Sequence, residues 1–188
     1  YAGNTVVEAS APGLETARLM LSFVNAPLYK KGESREIENR AYVRYTNRVE
    51  NGKLQTYGMN NPTFASSSQK GYTAGLAADG DYDSYWQPED KDISAYWTLD
   101  TERRLDLHRV KATFSGLANY RLKVEISSDN IVWQTIGDYS HLSREIDKID
   151  IQPEQTMKMR FVRFLFLSGE GSVRPKLAEV QVVGIVTE

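Results

Sequence analysis

From Tyr120 to Ile126 the chain alternates without exception: Tyr120, Leu122, Val124 and Ile126 fall on one side, Arg121, Lys123 and Glu125 on the other. Successive side chains of an extended strand point to opposite faces, whereas apolar positions on a helix recur every three or four residues. This run therefore specifies a half-buried strand. Ser127-Ser128-Asp129-Asn130 supplies turn-forming side chains, and Ile131 to Ile136 returns the chain, so a hairpin follows. A sheet with one apolar face must be covered by a second layer.

Neighbouring segments repeat the pattern. Tyr96–Asp100 and Arg109–Ser115 read as strands, and Arg160–Leu167 is apolar on both faces, as a central strand is. Leu177–Val183 is the last strand, ended by Gly184. Thr5–Ala9 and Ala17–Val24 flank the turn Ser10-Ala11-Pro12-Gly13 and predict an N-terminal hairpin. Residues Pro27 to Asn61 are polar and charged and read as a linker. Many short strands with regular turn signals predict an all-β antiparallel sandwich or jelly roll.

Composition removes several functions. A net charge of −2 offers no broad footprint for nucleic acid. The chain has no cysteine, hence no disulfide and no thiol chemistry. No apolar run approaches the roughly 18 residues a membrane span requires. Neither G-x-S-x-G, a phosphate-binding loop nor H-E-x-x-H occurs. Paired carboxylates of the glycosidase kind are not marked out by anything beyond the abundance of acids in loops.

The densest cluster of oxygen donors is Leu76–Trp86, with Asp79, Asp81 and Asp83 alternating around Gly80 and a hydroxyl at Ser84. Acids this close repel one another unless a positive group sits among them. A hard cation such as calcium, with six to eight oxygen ligands, answers that need; a solvated acidic turn is the competing reading. An EF-hand is excluded, because Ser84 stands where its loop needs glycine, Pro88 falls inside the loop and no amphipathic helix flanks it.

Five pieces in order carry a resemblance: Asp79-Gly80-Asp81 with Ser84 and Trp86; Trp97-Thr98-Leu99-Asp100; Ser127-Ser128-Asp129-Asn130 leading to Trp133; Arg160-Phe161-Val162-Arg163; and Ala178-Glu179-Val180 followed by Gly184. Together, over about residues 62–185, they resemble discoidin (coagulation factor V/VIII C-type) domains, and most closely carbohydrate-binding modules of family 32. Val6–Leu14 followed by Ala17-Arg18-Leu19 resembles the end of an immunoglobulin-like domain late in family 2 glycoside hydrolases such as β-galactosidases. The resemblance implies an eight-stranded antiparallel jelly-roll β-sandwich over 62–188, a hairpin from a preceding domain over 1–26, and a linker over 27–61.

It also implies a structural calcium held by the Leu76 carbonyl, the Asp79 carboxylate, the Asp81 carbonyl, the Ser84 hydroxyl and carbonyl, the Ala178 carbonyl and the Glu179 carboxylate. Ser84 stands where the family usually has threonine. Sugar would bind on loops at one end of the sandwich, with Tyr85, Gln87, Glu89, Tyr96, Asn119 and Tyr139 as candidate contacts. An aromatic would stack on the apolar face of a galactose-like ring, and polar groups would meet its hydroxyls. The short loop Ser115–Asn119 lacks the arginine that many members carry there. Trp86, Trp97 and Trp133 lie in core motifs. The expectation is thus a non-catalytic carbohydrate-binding module whose partners are a glycan and the other domains of a bacterial hydrolase, in the periplasm, at the cell surface or secreted. The alternatives are a discoidin domain that packs on its parent enzyme without binding sugar and, ranked last, a lipid- or protein-binding one.

Overall fold

The computed structural model describes residues 3–24, 52–92, 94–141, 143–167 and 173–187. The chain divides into two units, Tyr1–Asn39 and Arg40–Glu188. In the first, β1 (Gly3–Ala9) and β2 (Ala17–Phe23) pair antiparallel, with Val7 opposite Leu19 and Thr5 opposite Leu21, as expected from the Pro12-Gly13 turn.

The second unit is an antiparallel β-sandwich of eight strands: β3 (Leu54–Tyr57), β4 (Thr63–Ala65), β5 (Tyr96–Ala118), β6 (Leu122–Ser127), β7 (Gln134–Asp138), β8 (Ile146–Ile151), β9 (Met157–Phe166) and β10 (Leu177–Val186). Hydrogen bonding runs β3-β10-β5-β9-β6-β7, with β4 and β8 also on β5. Three sequence expectations change. The linker over 27–61 lies largely outside the described residues, and its described end is not a linker, because β3 pairs with β10 through Thr56 opposite Val183. The expected strands at Tyr96 and Arg109 are one 23-residue strand. Gly184 does not end the last strand. It sits at a register shift inside β10, where a Cβ would come 2.8 Å from the Asp106 carbonyl oxygen; glycine here allows close packing of two backbones.

β5 carries the chain between layers. Its first part, Tyr96–Asp100, pairs with β4 and β9; from Leu105 onward it pairs chiefly with β10 and β8. The corner between them places Glu102 at φ 59. The Asp100 carboxylate holds that corner. It accepts the Glu102 N–H at 2.7 Å and a two-pronged contact from Arg160 Nε and Nη2, both at 2.8 Å.

Between the layers lie Trp97, Leu99, Val110, Leu122, Val124, Phe164 and Val182, all fully buried. Phe114 stacks on Tyr120 at 4.4 Å and meets Phe166 edge-on at 6.3 Å, fixing the spacing at one end. Trp86 and Trp97 are core residues, as expected. Trp133 is only half-buried, and the Arg163 guanidinium covers its ring at 4.0 Å while pairing with Glu125.

Replacing Arg160 with alanine leaves Asp100, 7% exposed, without its cation. Loss of one partner of a buried pair costs about 3–5 kcal/mol, and partial exposure of Arg160 reduces this to roughly 2 kcal/mol. Urea unfolding of Arg160→Ala measures it, and Arg160→Lys should recover only part, since an ammonium cannot make both contacts.

Candidate metal centre and ligand-binding end

The short 3-10 turn Ala74–Ala77 buries Ala74 and Ala77, and the Trp97 indole N–H donates to the Ala74 carbonyl at 2.8 Å. This pins the turn against the core and directs the following acidic loop. Ser84 Oγ lies 3.1 Å from the Leu76 carbonyl oxygen, 2.8 Å from Asp79 Oδ2 and 3.1 Å from the Asp81 carbonyl oxygen. Asp79 Oδ1 accepts the Asp81 N–H at 2.9 Å, which closes the turn locally. Gly80 has φ +84, a conformation costly for a side-chain-bearing residue, and its N–H donates to Glu179 Oε2 at 3.1 Å. The acidic loop and the last strand thus meet across 99 residues of chain.

Glu179 is 3% exposed. In the pairing of β10 with β5 the register steps from Leu177 to Glu179, so Ala178 is left out of the ladder as a bulge. Burial, reinforced by the charge of Asp79 and opposed by the Gly80 N–H, pushes the Glu179 carboxyl from 4.5 up to about 7. No Lys, Arg or His side chain pairs with Asp79, Asp81 or Glu179 among the described residues. Among the described residues no group of three His, Cys, Asp or Glu side chains converges there either; the remaining oxygens near the two carboxylates are carbonyls and a hydroxyl. An all-oxygen donor set holding two uncompensated acids fits a hard cation and not a thiolate- or imidazole-seeking metal. Asp83 is exposed, and its N–H donates to Asp81 Oδ1 at 2.9 Å.

The same domain gathers several loops at the end of the sandwich where β6 begins and β9 finishes. The rings of Tyr72 and Tyr85 stack at 4.8 Å and 27°, and Lys176 Nζ stands 5.4 Å over the Tyr85 ring. A hydrogen bond with Tyr72, followed by partial burial, pushes the Tyr85 phenol up. Tyr96, 38% exposed, is tied to Ser66 by N–H to Oγ at 3.0 Å and by the Ser66 N–H to its carbonyl at 3.0 Å. Ser67 Oγ accepts the N–H of exposed Glu89 at 3.1 Å and donates to Asp92 at 2.7 Å.

Two candidate contacts take other roles. Gln87 is buried; with its amide oriented to satisfy both partners, its oxygen accepts from Arg174 Nη2 at 2.6 Å and Nε at 2.5 Å. Arg174 also pairs with Asp90, so Gln87 braces a loop instead of facing solvent. Tyr139 packs against the core, and burial pushes its phenol up. Asn119 stays at this end with a buried Oδ1 that has no partner among the described residues, and the same holds for Gln69 Oε1. Sequence reading missed Tyr72 and Lys176. Tyr72 lies 13 residues before Tyr85 with no periodic relation to it, and Lys176 is placed by the Trp86–Leu177 bridge, through which Trp86 N–H donates to the Leu177 carbonyl at 2.8 Å.

The F5/8 type C domain family matches residues 63–180. Among solved structures, the module CpGH89CBM32-4 of Clostridium perfringens, in complex with GlcNAc-alpha-1,4-galactose, superposes with a TM-score of 0.63 at 16% identity, covering 73% of this chain and 99% of that one. CpGH89CBM32-6 of the same organism gives 0.57 at 21%, covering 66% and 93%. Chitosan-binding module 1 of a chitosanase/glucanase from Paenibacillus sp. IK-5 gives 0.61 at 19%, covering 69% and 99%. At these identities the likeness shows a shared fold. No match was found among curated proteins. No helix among the described residues is long and apolar enough to cross a membrane.

The buried acid sets a pH dependence for protein held in a chelator. Glu179 binds its proton more tightly folded than unfolded, so unfolding free energy should fall as pH rises from about 4.5 to about 7 and level off above. Melting temperatures across that window should show the slope, and Glu179→Gln should flatten it.

Proposed function

Because this chain belongs to the F5/8 type C domain family, we propose that it is a non-catalytic carbohydrate-binding module that takes galactose-type glycans on the loops around Tyr85 and is braced by a structural calcium. The Tyr72–Tyr85 stack beneath Lys176 carries the sugar reading. A ring held in place by a second ring offers an apolar face to the C–H side of a pyranose without losing rotamer freedom on binding. Lys176, Tyr96, Asn119 and Glu89 supply the polar rim. Gln87, Arg174 and Asp90 fix the loop that carries Tyr85.

Calcium would be held by the Asp79 and Glu179 carboxylates, the Ser84 hydroxyl and the Leu76, Asp81, Ser84 and Ala178 carbonyls. It would supply the positive charge that the two acids lack, and its role is structural. The residues of the hairpin β1–β2 support attachment to a larger glycoside hydrolase of family 2; such an enzyme would work on extracellular glycan, and the module would then act in the periplasm, on the cell surface or outside the cell. The second reading, a domain that packs on its parent without sugar, draws on the Arg174–Gln87–Asp90 tie and on the arginine-free loop Ser115–Asn119.

Titration with galactose, N-acetylgalactosamine and β-galactosides separates the two. Saturable binding weakened about tenfold by Tyr85→Ala, the equivalent of about 1.4 kcal/mol, supports the sugar site; silence at millimolar sugar leaves the packing role. Separately, chelation should lower the melting temperature and calcium restore it. A ligand at a hundred times its dissociation constant adds about 2.7 kcal/mol, and Asp79→Asn should abolish the response.

A further inference from the structure

We infer that the domain carries a second glycan subsite, in a groove beside β7 at the opposite end of β6 from the loops around Tyr85. The groove, of about 530 Å³, is formed by Gln134–Ile136 on β7 and by the segment 153–158 that leads into β9. That volume lies within the range of small-ligand sites. Its position is set by register: Gln134 pairs with Ile126, whereas the Tyr139 N–H bonds the Leu122 carbonyl at the other end of the same strand. Six residues of strand place the two regions roughly 17–20 Å apart.

Three observations point to a neutral sugar. First, the polar lining offers both donors and acceptors, with carboxamides at Gln134 and Gln155 and hydroxyls at Thr135 and Thr156. The charges of Glu154 and Lys158 cancel, so the groove has no net preference for an ion. Second, none of these six side chains has a hydrogen-bond or ion-pair partner among the described residues, so every one is available to a ligand. Third, the floor is aliphatic, made by Ile136, Pro153 and Met157. Ile136 is the extra residue of a β-bulge, since the register of β7 on β6 steps from Gly137 opposite Val124 to Thr135 opposite Glu125. A bulge re-aims a side chain, and here the re-aimed side chain belongs to the groove floor. An aliphatic floor with a rim of amides and hydroxyls suits the two faces of a pyranose: C–H below, hydroxyls at the edge. A bound peptide would instead want apolar side-chain pockets, and two-thirds of this lining is polar. The subsite does not depend on the loop site.

The test is residue-resolved NMR of the 188-residue chain titrated with β-1,4-linked trisaccharides of glucose, galactose and N-acetylglucosamine. Saturable shifts at the amides of 134–136 and 154–158 are expected with at least one of them. Gln134→Ala with Gln155→Ala should remove those shifts while leaving any at 85–96, and Tyr85→Ala should do the reverse. Groove shifts with silent loops support this subsite and count against the loop site. A groove silent to all three sugars, or groove shifts that persist unchanged in the double variant, overturns the proposal whatever the loops do.

Discussion

A carboxylate buried beside a second carboxylate is the constraint around which this domain is arranged. Glu179 sits in the last strand, 3% exposed, with the Gly80 N–H as its donor and Asp79 as its charged neighbour. Burying such a group is tolerated where something compensates the charge or where the carboxyl keeps its proton. The loop Leu76–Ser84 turns its oxygens toward one point, and β10 bulges at Ala178 beside that point. Calcium at this centre would convert a repulsive pair into a tie between distant parts of the chain.

That tie matters for the loops at the Tyr85 end, because they have little regular structure of their own. Trp86 bridges to Leu177, Gln87 is gripped by Arg174, and Gln69 reaches the Gln87 carbonyl by its N–H at 2.9 Å. Each of these contacts begins within a few residues of the acidic loop or of the start of β10. A shift there would move Tyr85 and Lys176 relative to each other. Geometry at the Tyr85 end is then inherited from a centre that lies outside it.

How much of this the sequence disclosed follows the range of the interactions involved. The alternation of Tyr120–Ile126 is local, and β6 follows it residue by residue with Leu122, Val124 and Ile126 buried. The donors of the acidic loop lie within nine residues of one another, so their convergence could be anticipated from spacing. β4 and β8 went unseen: β4 is three residues long, and in β8 only Ile146, Ile149 and Ile151 turn inward, a spacing that is neither two nor 3.6. The continuity of β5 through Thr101–Arg104 was hidden because its corner is held by Arg160, 60 residues away. Gln87 read as a free polar loop residue because nothing local marks Arg174 as its partner. Tyr139 misled for a similar reason, since it packs against a core assembled from distant strands.

β5 has a final consequence, which concerns how the domain is assembled. One strand is hydrogen-bonded to β4, β8, β9 and β10, elements that span residues 63 to 186. Neither layer can be completed before segments from both ends of the domain have been brought to it. Such long closures must precede the contacts that reward them, which places this chain among slow folders of high contact order. By the same arithmetic no layer can peel away alone: opening either one strips β5, and with it the scaffold of the other.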